Sequence, residues 1–284
     1  MLLLPYYDET MRRLKAFISR FLFFFLFHYS WLSFGEFVSA QQAPAYLEPT
    51  FDKPVQVMEI TADHQLILAD GTTIKLAGLL LPTQQDCDRL KVVCSLVERL
   101  SHYLETTLLN QIIYISDTPQ YFDRDDRLLA QIKNNEGTWV QKEILEQGLG
   151  RIITTTARPT DLTIMLPLEN MARQSQKGLW RLKAFQILQT DNLNDKTDRF
   201  QIIEGTIKKT AEVRGTIYLN FGEDWRTDFT IKLEKNHRAA FANKGKDLLQ
   251  TVGHKIRIRG WLFWENGPMI SVYTPEQLEY LSIE

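Results

Sequence analysis

Alternating runs of apolar and polar residues predict three short strands near the start of the folded part of this 284-residue chain. The apolar runs lie at 55–60, 65–68 and 73–79. The second and third runs are separated by Asp70-Gly71, a dipeptide typical of tight hairpin turns. Apolar residues then recur at helical spacing over 91–109, which predicts one amphipathic helix.

Two more strands and two more helices are predicted before residue 182. The strands lie at 111–116 and 128–133, and a helix follows over 139–147 and ends at Gly148. The last helix is predicted to open at Pro167 and to stop at Gly178, with these residues facing inward: Leu168, Met171 and Ala172. Five strands with a helix after the third predict a small closed barrel of the OB type, with two helices added.

A second domain of mainly β structure is predicted over 200–284. Its strand patterns lie at 201–208, 216–221, 228–233, 255–264 and 269–273, with a helical stretch over 238–250. This order predicts a second, smaller OB-like β-barrel. Polar segments without periodicity at 41–54 and 183–199 predict linkers, which leaves 55–182 as the first domain. The predicted fold class is therefore α+β, mainly β.

The N-terminal segment has the residue order of a secretory signal peptide. Basic residues precede an apolar run at 21–27, and small residues follow before Gln41: Arg12, Arg13, Lys15 and Arg20, then Val38, Ser39 and Ala40. The run is shorter than the roughly 20 residues that a bilayer span needs. Residues 1–40 are therefore expected to be removed, which predicts a periplasmic or secreted protein without a stable membrane span. Translation from either Met1 or Met11 is compatible with this order.

The amino-acid composition argues against several classes of function. The chain has 33 Lys and Arg against 35 Asp and Glu, a net charge of -2, so it lacks the strongly basic field of a nucleic-acid coat protein. Two cysteines are too few for a four-thiolate zinc site but enough for one disulfide. The five histidines form no HxxH or HExxH pair, so zinc hydrolysis has no support in the sequence.

Several ordered blocks across residues 55–180 resemble the thermonuclease, or staphylococcal-nuclease-like (SNase), domain family. The blocks are the stretch from Asp70 to Gly78 with Pro82, the motif from Asp123 to Arg127, residues 140–149, and the stretch from Glu169 to Trp180. The resemblance implies metal-assisted phosphodiester hydrolysis, in which carboxylates hold a divalent cation and activate water while cationic side chains stabilise the developing charge. It does not extend to residues 200–284.

The residues at the family's catalytic positions depart from the family pattern. Lys75 stands at the first arginine, Leu80 at the metal-binding aspartate and Thr83 at the glutamate base. The other metal carboxylate aligns with His64, beside Asp63, and Arg127 alone is unchanged. Because leucine has no lone pair for Ca²⁺, the resemblance predicts a degenerate site without a cofactor.

Strand alternation is expected to place Leu76, Gly78 and Leu80 on one face, so that the former metal cleft becomes apolar. An apolar groove suits a peptide, a lipid or a partner surface better than phosphate. For Lys75 and Arg127, two interpretations remain. They contact phosphate, or they pair with solvent and neighbouring aspartates, which is the favoured interpretation because charged loop residues are usually solvated.

Three functions are compatible with these observations. The leading hypothesis is an exported, non-catalytic binding or scaffolding module with a protein or peptide partner. The second is a calcium-dependent phosphodiesterase with a rearranged site that uses Asp63, Asp86, Lys75 and Arg127.

The third function is single-stranded nucleic-acid binding through Trp261 and Phe263. These aromatic residues alternate with Arg257 and Arg259 on one predicted strand face, a pattern typical of base stacking on an OB-type surface. The simpler interpretation is that Trp261 and Phe263 pack against the first domain.

Cys87 and Cys94 are candidates for the single disulfide. In one continuous helix their Cα atoms would lie about 10.5 Å apart, too far for a bridge. A loop before the helix, where exported thermonuclease-like proteins often carry a cysteine pair, favours a disulfide over two free thiols in an oxidising compartment.

Overall fold

The structure is a computed structural model, and it describes residues 50–116, 121–191, 193, 199–245 and 247–281. The predicted signal peptide, most of the 41–54 linker and part of the 183–199 linker lie outside the described residues. Within the described residues, no helix is long and apolar enough to cross a membrane.

The first half of the described chain contains two sheets. Their strands are β1 (Phe51–Ile60), β2 (Leu66–Leu68), β3 (Thr73–Leu76), β4 (Leu79–Leu80), β5 (Ile112–Ser116), β6 (Tyr121–Phe122), β7 (Leu128–Ala130), β8 (Ile132–Lys133) and β9 (Arg151–Ile152). Seven of them form one sheet in the order β6-β7-β3-β2-β1-β5-β8, and β4 pairs with β9 in a separate two-stranded sheet. The strand pairs are antiparallel except that β3 and β7 run parallel.

Four helices pack on these strands and enclose an apolar core. They are α1 (Gln84–Arg89), α2 (Cys94–Leu108), α3 (Val140–Glu146) and α4 (Pro159–Gln174), with 3₁₀ turns at Lys91–Val93, Thr154–Thr156, Gly178–Arg181 and Lys183–Phe185. Helix α2 buries Val97, Leu100, Leu104 and Leu108 at the spacing that the sequence predicts. The strand and helix order of a mixed α+β, OB-like domain is thus confirmed.

Three details of the first domain differ from the prediction. The strand pairings among the described residues form an open path, so no closed barrel is found. The third predicted strand is interrupted at Gly78, whose φ of 78° suits glycine and where a Cβ atom would lie 2.9 Å from Met165. The last helix begins at Pro159 and includes Pro167, and its Met171 side chain is exposed instead of facing inward.

The second half of the described chain is built on one eight-stranded sheet. Its elements are β10 (Leu188–Gln189), β11 (Arg199–Thr206), β12 (Lys209–Val213), β13 (Thr216–Asn220), β14 (Thr230–Leu233), α5 (Arg238–Asn243), β15 (Lys255–Trp264), β16 (Pro268–Ser271) and β17 (Leu278–Tyr280), with 3₁₀ turns at Lys235–His237, Leu248–Gln250 and Pro275–Gln277. The order is β10-β11-β15-β16-β14-β13-β12, and β17 pairs with β15. A second β domain is therefore present, but the strand order among the described residues is open, so the closed barrel predicted for this half is not found.

Several elements of this half were not predicted. Strand β12 forms a hairpin with β13, and β17 adds to β15 at the end of the chain. The described part of the predicted 183–199 linker includes a buried Phe185, a buried Leu193 and strand β10, which pairs in parallel with β11. The described residues 50–281 belong to one compact unit. The exact domain boundaries stay a prediction.

The predicted disulfide between Cys87 and Cys94 is confirmed, although its setting differs. Cys87 lies on the short helix α1, not in a loop, and Cys94 is the first residue of α2. The helical path breaks at Leu90, whose φ of -131° and ψ of 86° lie outside the helical region. The break brings the two Cα atoms to 4.6 Å, within the range of a disulfide.

Removing the disulfide is expected to destabilise the protein by about 2 kcal/mol, because the unfolded chain regains the entropy of an open loop. The measurement compares the free energy of urea unfolding of the oxidised protein with that of the Cys87→Ser/Cys94→Ser variant. Dithiothreitol should lower the stability of the wild type and leave the double variant unchanged. Equal stability of the oxidised wild type and the double variant contradicts the prediction.

Candidate functional site

Leu80 stands at the position of the family's metal-binding aspartate, and it packs into an apolar cluster. It belongs to β4, which pairs with β9 so that Leu80 lies opposite Arg151. Its side chain packs against a cluster formed by residues from both halves of the chain: Ala172, Trp180, Phe200 and Ile202. An aliphatic side chain in this contact offers no ligand to a hard cation.

A cavity of about 300 Å³ opens beside Leu80, between the first domain and the second sheet. Its lining includes Leu80, Thr83, Asp86 and Arg151 from the first domain, and Phe200 and Trp261 from the second half. We call this space the junction cavity. Its lining includes Leu80, from the predicted degenerate nuclease site, and Trp261, from the predicted aromatic strand face.

Thr83 and Asp86, in the wall of the junction cavity, form hydrogen bonds with each other. Thr83 is the N-cap of α1, and Asp86 closes a capping box with it. The Thr83 backbone N–H donates to the Asp86 carboxylate at 2.9 Å, and the Asp86 backbone N–H donates to the Thr83 hydroxyl at 3.4 Å. Thr83, which the resemblance aligns with the family's base, is therefore a helix-capping residue.

Arg151 is a partly buried charged residue in the cavity wall. One guanidinium N–H donates to the Phe200 carbonyl oxygen at 3.0 Å, and the guanidinium carbon lies 4.9 Å and 5.2 Å from the ring centroids of Phe185 and Phe200. Burial lowers the pKa of Arg151 to about 10, and the charges of Glu169 and Asp86 offset this only in part. Among the described residues, no carboxylate pairs with it within 4.0 Å.

Arg127, the one unchanged catalytic position, is held by its own loop. Its guanidinium lies 2.7 Å from the Asp123 carboxylate and 2.5 Å from that of Asp125. Burial acts to raise the pKa of Asp123, but the hydrogen bonds from Arg127 outweigh it and lower that pKa to about 2. This geometry agrees with the favoured interpretation of Arg127, in which neighbouring aspartates pair with it.

Lys75 and Asp63 belong to the region around Arg127. Lys75 lies on β3 opposite Leu129 of β7, two residues beyond Arg127, so the two basic residues leave adjacent strands on the same face. Asp63 is exposed in the turn between β1 and β2, and its charge contributes to raising the pKa of Arg127. Neither Lys75 nor Asp63 lines the junction cavity.

His64, which aligns with the second metal carboxylate, is a buried part of the core. Its side chain is 2% exposed, and its Nε2 atom lies 3.0 Å from the Ser101 hydroxyl. Burial lowers its pKa, and the charge of Asp63 opposes this effect only in part. A neutral, hydrogen-bonded imidazole does not replace a carboxylate ligand.

The residues present do not fit the Ca²⁺ ion that the family implies. The acidic candidates are separated, with Asp63 near Arg127 and Asp86 in the wall of the junction cavity. Across the described parts of the chain, no group of three or more histidine, cysteine, aspartate or glutamate residues is arranged to hold a metal ion. Leu80 and Thr83 supply at most one hydroxyl where the family has two carboxylates.

A buried ion pair joins the two halves of the chain next to the junction cavity. The Arg259 guanidinium lies 2.8 Å from the Glu169 carboxylate, and the two side chains are 2% and 3% exposed. The other Glu169 oxygen accepts from the backbone N–H of Ile152 at 2.6 Å. Arg259 also pairs with Glu279 at 2.7 Å, and its charge helps to keep the pKa of Glu279 low despite burial.

On the predicted basic and aromatic face of β15, both arginines form ion pairs with glutamates, whereas the aromatic residues do not share these contacts. Arg257 pairs with Glu204 at 2.7 Å and with Glu279 at 3.0 Å, so neither arginine of the face is open to solvent. Trp261 is 55% exposed, contacts the Phe200 ring edge-on at 6.1 Å and lines the junction cavity. Phe263 is half-buried and lies outside that lining.

The structure thus separates the predicted site into two groups. Leu80, Asp86 and Trp261 meet at the junction cavity, whereas Lys75, Arg127 and Asp63 lie around β3 and β7. Sequence reasoning missed Arg151 and Phe200 as site residues. The matched block at 140–149 ends just before Arg151, but nothing in a single sequence indicates that its side chain meets Phe200.

The first half of the described chain has the mixed α+β, OB-like fold that the resemblance implies. Residues 74–182 match the family model described as staphylococcal nuclease homologue. This part of the chain, less than half of its length, is therefore a staphylococcal-nuclease-like domain, as the resemblance predicts. No curated protein matches the chain.

Breaking the buried pair is expected to cost about 3–5 kcal/mol of stability in Arg259→Met, because Glu169 is left as an uncompensated buried charge. Urea unfolding measures the change, and Arg259→Met/Glu169→Gln should recover part of the loss. The matched control is Lys209→Met, which removes an exposed pair with Glu223 and should cost at most about 1 kcal/mol. A similarly small loss in Arg259→Met contradicts the prediction.

Proposed function

We propose that this chain is an exported protein whose staphylococcal-nuclease-like domain has lost nuclease chemistry and acts as a binding or scaffolding module. The observation that carries the proposal is the environment of Leu80. Its side chain packs against an apolar cluster that includes Phe200 and Ile202 of the second half, where catalysis needs a carboxylate open to a metal ion and a phosphate. The second half of the chain thus contributes apolar residues to the surroundings of this position.

The capping box of α1 also supports loss of catalysis. A general base must have a free lone pair within reach of a water molecule near the phosphorus atom. Thr83 cannot act as a carboxylate base, and one oxygen of Asp86, Oδ2, accepts from both the backbone N–H and the hydroxyl of Thr83, which holds that carboxylate at the start of α1. The enzyme alternative would therefore have to assemble a site from Asp63, Lys75 and Arg127 without either of these residues.

The paired state of the β15 arginines weighs against the single-strand binding alternative. Binding to a phosphate backbone requires cations that can exchange their counterions for phosphates. Arg257 and Arg259 are committed to Glu204, Glu279 and Glu169 instead. Trp261 keeps an exposed ring, but the arginines of its own strand face are already paired, which favours a small ligand or a protein partner over a phosphate backbone.

The purified protein is expected to show no hydrolysis of single-stranded DNA or RNA above a buffer control, with or without Ca²⁺, because the metal position lacks a ligand. Release of acid-soluble nucleotides measures the activity. Arg127→Ala is the matched variant and should behave like the wild type. Cleavage that a chelator abolishes and that Arg127→Ala lacks would establish the phosphodiesterase alternative.

Export is tested by expressing the full chain in a bacterial host. The periplasmic fraction should contain a protein whose N-terminal sequence begins at Gln41, because the small residues before it fit a signal peptidase. Phe24→Arg, which places a charge in the apolar run, should leave the precursor in the cytoplasm. An intact N-terminus on soluble wild-type protein in the cytoplasm refutes export.

A further inference from the structure

We propose that the junction cavity binds an organic monoanion, in which a carboxylate pairs with Arg151 and an attached apolar group lies against Trp261 and Leu80. The inference rests on the proposed function, because it names the class of ligand for a non-catalytic binding module. The ligand is either a free carboxylic acid or the C-terminal residue of a peptide.

The unmatched charge of Arg151 is the first observation behind this assignment. A guanidinium has five N–H donors in a planar fork, and here the Phe200 carbonyl oxygen accepts from one of its nitrogens. Its guanidinium carbon lies over the rings of Phe185 and Phe200, and these rings accept no ordinary hydrogen bond, so donors of the planar fork remain for a bidentate partner. Every other strongly enclosed arginine described above, Arg257 and Arg259, already has carboxylate partners.

The composition of the cavity wall is the second observation. Leu80, Leu81, Leu179 and Phe200 give it an apolar side, and Trp261 offers a ring that is 55% exposed. A cavity of about 300 Å³ is at the lower end of the size range of small-molecule sites. An apolar wall beside a cation held by aromatic rings is an arrangement that orients an amphipathic acid.

The charges around the cavity favour an anionic ligand. Three arginines line it, Arg89, Arg151 and Arg199, against one carboxylate, that of Asp86. Asp86 is close enough to contribute to the pKa of Arg151, so it repels negative charge placed beside that guanidinium, and it repels a dianion more than a monoanion. The charge of Asp86 and the apolar wall, not the overall charge balance, are the reasons to propose a carboxylate over a more strongly hydrated phosphate dianion.

The test measures binding by isothermal titration calorimetry to the purified full-length protein. The probes are 3-phenylpropionate, its neutral isostere 3-phenylpropionamide, phenyl phosphate, and N-acetyl-glycyl-phenylalanine with a free C-terminal carboxylate. The acid is expected to bind with saturation and about tenfold or more tightly than the amide, because a hydrogen bond to a charged group is lost in the amide. Tighter binding of the peptide than of 3-phenylpropionate assigns the site to a peptide C-terminus, and the reverse assigns it to a free acid.

Two variants and one control separate the contribution of Arg151 to ligand binding from that of Trp261. Arg151→Gln should abolish the preference for acid over amide. Because that change could disturb the packing of Phe185 and Phe200, Trp261→Ala provides an independent test at an exposed position, and it should weaken 3-phenylpropionate several-fold. Trp264→Ala removes a tryptophan of the same strand that is 53% exposed and outside the cavity lining, and it should have no effect.

Four results overturn the proposal: no saturable binding of any acid to the wild type, equal binding of acid and amide, tighter binding of phenyl phosphate than of the carboxylates, or equal losses in Trp261→Ala and Trp264→Ala. The nuclease assay on the same preparations keeps this inference apart from the proposed function. Metal-dependent cleavage refutes the non-catalytic proposal, whereas absence of acid binding in an inactive protein refutes only the ligand assignment.

Discussion

The buried ion pair between Arg259 and Glu169 is the interaction on which the arrangement of the two halves depends. Two charges taken out of water stabilise a structure only when they are well matched, and here each has more than one partner, although the buried Nε of Arg259 has none. Glu169 holds the backbone of β9 through Ile152, and Arg259 holds β17 through Glu279. The pair therefore fixes β15 against the strand that carries Arg151.

The Arg259–Glu169 ion pair also influences which residues surround Leu80. With β15 held next to β9, strand β11 brings Phe200 and Ile202 into the apolar cluster against which Leu80 packs, and Trp261 lines the cavity beside it. Leu80 would be a poor surface residue, but in this position its burial contributes favourably. The leucine that the resemblance aligns with a metal-binding aspartate thus takes part in an apolar contact between the halves.

The disulfide contributes to the same region from the other side. Cys87 and Cys94 belong to an apolar cluster with Leu179 and Phe185, and both of these residues also line the junction cavity. Helix α1, which has only six residues, carries Asp86 and Arg89 and is tied to the long helix α2 by the bridge. The cavity wall is therefore supported by a covalent link where a short helix alone would be marginal.

The sequence by itself determined the nature of the elements and the chemistry missing from the nuclease site. Local periodicity predicts α2 and the strands, and the departures at Leu80 and Thr83 are visible without a structure because they depend on residue type alone. The helix start at Pro159 was missed because Pro167 carries the same local signal, and the break at Gly78 depends on a backbone angle. Only the tertiary structure decided the partners of Arg259, Arg151 and Leu80, because these contacts join residues far apart in the chain, 90 positions for Arg259 and Glu169 and 49 for Arg151 and Phe200, and leave no periodic trace in the sequence.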